Sequence, residues 1–254
     1  MDRNMDKTGL SAIRKEIDAL DAQMRALLLA RARVVEEVAR SKAGEPETMP
    51  LRPAREMKQM QALADWHASE NPPFGLASLL AVWREIIGAA LAQQGGLVVH
   101  VCGETVHLGR NHFGVAAHYQ EHDSANDALR ACDANPRSVA VIPLEAGFTP
   151  TGPAGVFARL PILQQTVLGE AAALCYGAVP FELDDTMVTL ACTDLSQVSE
   201  VEAAGIIGQN QTHALIELAA PLCADEIADK YGASVVWLGN YDLLHVSDGQ
   251  EKKS

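Results

Sequence analysis

The chain has 254 residues, of which 48% are hydrophobic, and a formal net charge of −13. This length accommodates one large domain or two modest ones, and the apolar fraction is sufficient for packed cores. The negative charge argues against non-specific nucleic-acid binding. Five cysteines without C-x-x-C spacing indicate free thiols and a cytoplasmic location. Polar residues within 86–103 argue against a membrane span there.

A long first helix is predicted over residues 11–42, with Ser11 as its N-cap. Apolar residues recur there in alternating steps of four and three, the spacing of one buried helix face: Ile13, Ile17, Leu20, Met24, Leu27, Val34 and Val38. Arg31 interrupts this stripe. A buried arginine needs an anionic partner, so either a protein carboxylate or a ligand is expected beside it. The helix would span about 48 Å, which favours packing along another long helix, for example from a second subunit.

Two further helices are predicted before residue 95. The second begins after Pro53 and runs to about His67, and the helix-breaking segment Asn71-Pro72-Pro73 follows it. The third covers 76–94, and its four-three stripe ends on a polar residue, Gln94. Its apolar members are Leu76, Leu80, Trp83, Ile87 and Ala90.

After Gly95-Gly96, short apolar segments alternate with helical ones, which predicts an α/β fold. Strands are expected at 97–101, 138–145, 171–178, 186–192, 213–219 and 234–239, and helices at 126–132 and 224–231. The chain is therefore predicted to be multidomain, with an all-α domain over 8–95 and an α/β domain over 96–254. The last strands could form a regulatory βαβ-type module.

Five polar residues lie on or near the helical stripes: Arg14, Arg31, Lys42, Glu56 and Gln94. Arg14 and Arg31 are about 25 Å apart along one helix. If two copies of that helix run antiparallel, Arg14 of one approaches the far half of the other, which predicts a site shared between two subunits. The set has no nucleophile and no metal cluster. It suits a polyanionic ligand whose reaction needs only positioning and charge stabilisation.

The segment IRKEIDALDAQMRALLLARARVVEEVARSK (13–42), followed by PAREM (53–57) and IIGAALAQQ (86–94), resembles the all-helical chorismate mutases. The resemblance implies an intertwined homodimer of three-helix chains. It also implies the rearrangement of chorismate to prephenate in aromatic amino acid biosynthesis, without a cofactor or a covalent intermediate.

The resemblance also implies roles for individual residues. Arg31 would bind one substrate carboxylate and Arg14 of the partner subunit the other, while Lys42 and Gln94 would donate to the ether oxygen and Glu56 would accept from the ring hydroxyl. Each residue also has a purely structural interpretation: Lys42 as a solvated helix-end charge, Glu56 as a first-turn acid and Gln94 as a frayed helix end.

Two positions depart from the family pattern. Arg52 stands where the family often has an acid; it is either a substrate ligand or a solvated or loop-capping residue. Ala90 stands where a serine is common. Both changes are expected to weaken substrate binding without removing the ether-oxygen donors.

The second half resembles the first lobe of a prephenate dehydratase, through HVCGETVHLGRNHFG (100–114) and SVAVIPLEAG (138–147). Ala146 and Gly147 replace the asparagine and serine of that family. The threonine-arginine-phenylalanine motif is missing, and CYGAVPF (175–181) is its nearest analogue. A degenerate dehydratase-like domain is therefore expected. The alternatives are a bifunctional mutase–dehydratase and a non-catalytic dimer that senses an aromatic metabolite.

Overall fold

The structure is a computed structural model that describes residues 3–41, 49–144, 154–163, 172–180, 183–203 and 205–246, with side chains from residue 9 onward. Lys42, Ala146 and Gly147 lie outside the described residues. The chain divides into two compact units, Met1–Glu45 and Pro46–Ser254. The predicted domain boundary at residues 95 and 96 stays a prediction.

The described part of the first unit is a single helix, α1, which runs over Arg3–Ser41. The prediction of Ser11 as its N-cap is wrong, because the helix begins eight residues earlier and Ser11 lies inside it. No proline precedes Ser11, and Gly9 weakens a helix by only about 1 kcal/mol without ending it. The predicted apolar stripe is exposed along its whole length in the single chain, and Leu27 is the most exposed member at 71%.

Helices α2 (Pro53–Glu70) and α3 (Leu76–Gln93) begin where the sequence predicts. Asn71 ends α2 in a left-handed conformation, φ 44°, and its N–H donates to the His67 carbonyl at 3.0 Å. The buried faces of both helices share one core with the sheet that follows. By length and composition α3 also meets the criteria for a membrane-spanning helix, but core helices meet them too, and nearly half of α3 is buried inside the protein.

The described part of the second unit contains a sheet of nine strands in the order β2-β1-β3-β5-β4-β9-β6-β8-β7. The strands are β1 Val98–Cys102, β2 His118–His122, β3 Ser138–Pro143, β4 Gly155–Leu160, β5 Ala173–Gly177, β6 Met187–Asp194, β7 Gly205–Gln209, β8 His213–Leu218 and β9 Val235–Asp242. The helices are α4 Thr105–Phe113, α5 Ala125–Asp133 and α6 Ala224–Tyr231. The predicted fold class, a helical region followed by an α/β region, is confirmed.

The first part of the sheet is parallel. Strand β1 lies between β2 and β3 and runs parallel to both. Helices α4 and α5 connect these strands, as parallel pairing requires. Strand β5 then pairs antiparallel with β3 and with β4.

The second part has the strand–helix–strand–strand–helix–strand order of a split βαβ module. After β6 a short 3-10 helix, Leu195–Glu200, takes the place of the first helix, and α6 is the second. The strands lie in the order β9-β6-β8-β7, with every neighbouring pair antiparallel.

Strands β4 and β9 join the two parts of the sheet. They are parallel, with Val156 opposite Gly239. A Cβ atom at Gly239 would lie 2.0 Å from the Val156 carbonyl oxygen, so only glycine fits this contact. Nearby, Arg159 of β4 forms an ion pair with Glu217 of β8 at 3.1 Å, and the Tyr241 hydroxyl of β9 donates to the same carboxylate at 2.6 Å.

Candidate functional site

A buried ion pair connects α2 and α3. The Nη1 atom of Arg84 lies 3.0 Å from the Oε2 atom of Glu56, and the two side chains are only 5% and 13% exposed. Burial raises the pKa of Glu56 above its usual 4.5, against the opposing effect of the Arg84 guanidinium. The pair lines a cavity of about 30 Å³ together with His112 and the end of β9. Glu56 therefore has a protein partner on α3.

Arg84 was not predicted as a site residue from the sequence. Like Arg31, however, it is an arginine within the apolar stripe of a helix. The predicted stripe of α3 placed Trp83 inside, but Trp83 is half-buried and Arg84 is among the buried residues. The buried residues Leu76, Leu80, Arg84, Ile87 and Leu91 recur in steps of four, four, three and four. A guanidinium in an apolar stripe needs an anionic partner. For Arg84 that partner is the carboxylate of Glu56.

Gln94 lies at the C-terminal cap of α3. Its Nε2 atom donates to the Ala90 carbonyl at 3.1 Å, and its own carbonyl accepts from Arg137 at 2.8 Å. The side chain thus bonds to the last turn of its own helix. Gln94 is not among the residues that line the cavity beside Glu56, so the structure does not bring these two predicted site residues into one pocket.

Arg52 is the residue before α2. Its Nη1 atom donates to the Leu51 carbonyl at 2.9 Å and also to the Met49 carbonyl. These bonds correspond to the loop-capping interpretation of Arg52. Its role as a substrate ligand stays a prediction.

Residues 13–95 match the sequence model of one protein family, chorismate mutase type II. These residues form a chorismate mutase domain. The reaction of this family is the isomerisation of chorismate to prephenate in aromatic amino acid biosynthesis, and this is the enzymatic function of the chain. Comparisons with curated proteins and with solved structures found no match.

The mutase domain takes α1 from the first compact unit and α2 and α3 from the second. On α1, Arg14 is exposed and Arg31 is half-buried. Lys42, the third predicted cation of this helix, is outside the described residues. The roles of these three residues stay predictions, as do those of Glu56 and Gln94.

Several histidines lie beyond the mutase domain. His100 is buried, and its Nδ1 atom is 2.9 Å from Nε2 of His122. Burial, together with His122, lowers the pKa of His100 below 6.5. His112 is also buried, and burial and the nearby Arg84 charge hold its pKa well below 6.5. Within the described ranges no three His, Cys, Asp or Glu side chains are grouped to hold a metal ion.

Proposed function

We propose that the chain acts as a chorismate mutase whose active site is completed by a second copy of the chain. The observation that carries this proposal is the match of residues 13–95 to chorismate mutase type II. The exposed stripe on α1 supports the second copy. Seven large apolar side chains lie exposed on one face of a 39-residue helix, and fully burying each would contribute about 1.5–3 kcal/mol.

The proposed mechanism is electrostatic. Chorismate carries two carboxylates, and negative charge grows on its ether oxygen as the bond to that oxygen breaks. Arg31 binds one carboxylate and Arg14 of the second copy binds the other. Lys42 and Gln94 donate to the ether oxygen, and donors aimed at developing charge are worth about 2.7–4 kcal/mol each.

Glu56 completes the proposed site by accepting a hydrogen bond from the ring hydroxyl. Its carboxylate is held by Arg84 at 3.0 Å, so Arg84 acts as a positioning residue for Glu56. Arg52 is the remaining candidate for substrate binding. Its guanidinium would either keep its two hydrogen bonds to loop carbonyls when substrate binds or break them to contact the substrate.

The test is to mix the protein with chorismate and to follow the loss of chorismate absorbance in the ultraviolet. Turnover well above the uncatalysed rate is expected, and no turnover above it would overturn the proposal. Lys42→Ala or Gln94→Ala should abolish turnover while the protein keeps its oligomeric state. Normal activity in either variant contradicts the role assigned to that residue.

We further propose that residues 96–254 are a degenerate dehydratase-like domain without dehydratase activity. The segment 100–114, which carries part of the resemblance, contains the end of β1 and the whole of α4, while the arginine motif is missing from the sequence. Incubation with prephenate should give no phenylpyruvate. Formation of phenylpyruvate would favour the bifunctional alternative, and calorimetry with phenylalanine tests the sensing alternative.

The proposed location is the cytoplasm. The five cysteines all lie within the described residues and form no disulfide bond there, and four of them are buried, which suits a reducing compartment.

A further inference from the structure

A second, larger cavity lies between α3, α4 and the segment that follows β4. It has a volume of about 320 Å³. An apolar cavity of about 150 Å³ already holds benzene, so this one has room for an aromatic ring with a short side chain. Its walls are largely apolar: Ala77, Leu80, Ala81, Leu108, Leu160, Pro161, Ile162 and Leu163.

Two buried polar side chains also line this cavity, Arg84 and His112. They are 4% and 8% exposed. Arg84 uses Nη1 for Glu56, but its buried Nε atom has no hydrogen-bond partner among the described residues. A buried donor without a partner is unfavourable. A ligand that supplies an acceptor to this Nε–H group therefore gains more binding free energy than it would from bonding to a donor in contact with water.

The lining therefore combines apolar walls with a guanidinium that has an unused donor. Guanidinium groups pair with carboxylates through charge-assisted hydrogen bonds. Ligand sites of this kind commonly have mostly apolar walls and a few polar groups that fix the ligand's orientation.

We propose that this cavity binds a small apolar carboxylate, with its apolar body against Leu80, Leu108 and Ile162 and its carboxylate toward Arg84. Because the same guanidinium holds Glu56, a bound carboxylate competes with Glu56 for Arg84. The cavity thus shares Arg84 with the proposed mutase site, where Arg84 positions Glu56. Its occupancy by a carboxylate is nevertheless measurable by binding alone, whether or not the protein turns over chorismate.

The first experiment is isothermal titration calorimetry on the full chain with 3-phenylpropanoate and with its neutral analogue 3-phenylpropan-1-ol. The carboxylate should bind with a Kd at least tenfold lower than that of the alcohol. No binding of 3-phenylpropanoate at millimolar concentration, or equal binding of the two compounds, would overturn the proposal.

Two sets of variants then locate the binding. Ala81 lines the cavity and is not a member of the ion pair, so Ala81→Phe should fill part of the cavity and abolish binding. Val82→Phe is the matched control, because Val82 is the next residue of α3, is exposed and does not line the cavity; it should bind as the unaltered protein does. Unchanged binding by Ala81→Phe would contradict the assigned location.

The double variant Glu56→Gln/Arg84→Gln tests the charge. It keeps two side chains that can hydrogen-bond to each other, so neither is left as an unpaired buried charge. It should lose the preference for the carboxylate over the alcohol. If the tenfold preference persists, Arg84 is not the group that recognises the ligand.

Discussion

Gln61 of α2 and His245, three residues beyond β9, are joined by two reciprocal hydrogen bonds. The Gln61 Nε2 atom donates to the His245 carbonyl at 2.8 Å, and the His245 N–H donates to Gln61 Oε1 at 2.9 Å. One turn earlier, Lys58 forms an exposed ion pair with Asp184 at 2.8 Å. Helix α2 of the mutase domain thus contacts the C-terminal module through two hydrogen bonds and one ion pair.

We predict that Gln61→Ala lowers the free energy of unfolding by about 1–2 kcal/mol, because two backbone partners lose their bonds. Lys58→Ala is the comparison and should cost less than Gln61→Ala, because the ion pair that it removes is screened by solvent. Urea denaturation measures both. A Gln61→Ala protein as stable as the parent would show that this connection contributes nothing.

The Glu56–Arg84 pair predicts a marked difference between single and double variants. Arg84→Met leaves a buried carboxylate without its partner and should cost about 3–5 kcal/mol. Glu56→Leu/Arg84→Met removes both charges and should recover most of that loss. Denaturation of the parent protein and both variants with guanidinium chloride checks this. A double variant less stable than Arg84→Met would contradict it.

His112 predicts a pH dependence of stability. Its folded-state pKa lies well below 6.5, so the unfolded chain binds the proton more tightly. Stability is therefore highest above about pH 6.5. It falls as the pH drops from there toward the folded-state pKa of His112, with a slope of up to about 1.4 kcal/mol per pH unit.

His112→Gln should flatten the stability profile below about pH 6.5. His107→Gln is the matched control, because His107 is on the same helix but exposed, and it should leave the profile unchanged. Denaturation at a series of pH values checks both, and a His112→Gln profile as steep as the parent's would exclude His112 as the source.

Gly239 predicts a strong steric effect. Gly239→Ala places a Cβ atom 2.0 Å from the Val156 carbonyl oxygen, so the β4–β9 pairing has to move, at a cost of at least about 3 kcal/mol. Gly205→Ala, in an edge strand with nothing within 4 Å of the new Cβ, should cost little. Thermal unfolding followed by circular dichroism compares them, and equal Tm values would refute the steric argument.

The exposed stripe of α1 predicts the effect of a charge on assembly. Leu27→Asp should convert the proposed dimer into monomers, because a carboxylate would be buried at the interface. Ala22→Asp adds the same charge on the opposite side of the helix and should leave the dimer intact. Sedimentation velocity distinguishes the two states, and a dimeric Leu27→Asp protein would rule out this stripe as the interface.

Much of the fold could be predicted from local pattern. Pro53 marked the start of α2, and six apolar segments were confirmed as strands to within three residues at each end. Strands β2, β4 and β7 were not predicted. The sequence of β2, HYQEH, is largely exposed at the sheet edge and has no apolar run. The sequence of β7, GIIGQ, is also at an edge and contains two glycines.

The site was less predictable than the fold. Glu56 was singled out from the sequence, but its partner Arg84 was not, because Trp83 beside it fits the same apolar stripe. Periodicity shows which residues share a face; it does not show which of two adjacent residues turns inward, or which carboxylate a buried guanidinium meets. The pairing of α2 with residues beyond β9 depends on contacts 184 positions apart, which no local pattern contains.

The position of β9 has a consequence for the order in which this protein is built. Among the described residues it is the last strand along the chain, yet it lies in the interior of the sheet, between β4 and β6. A ribosome releases the N-terminal segments first. The sheet therefore cannot close until residues 235–242 have emerged, and the edges of β4 and β6 that face β9 stay unpaired until then.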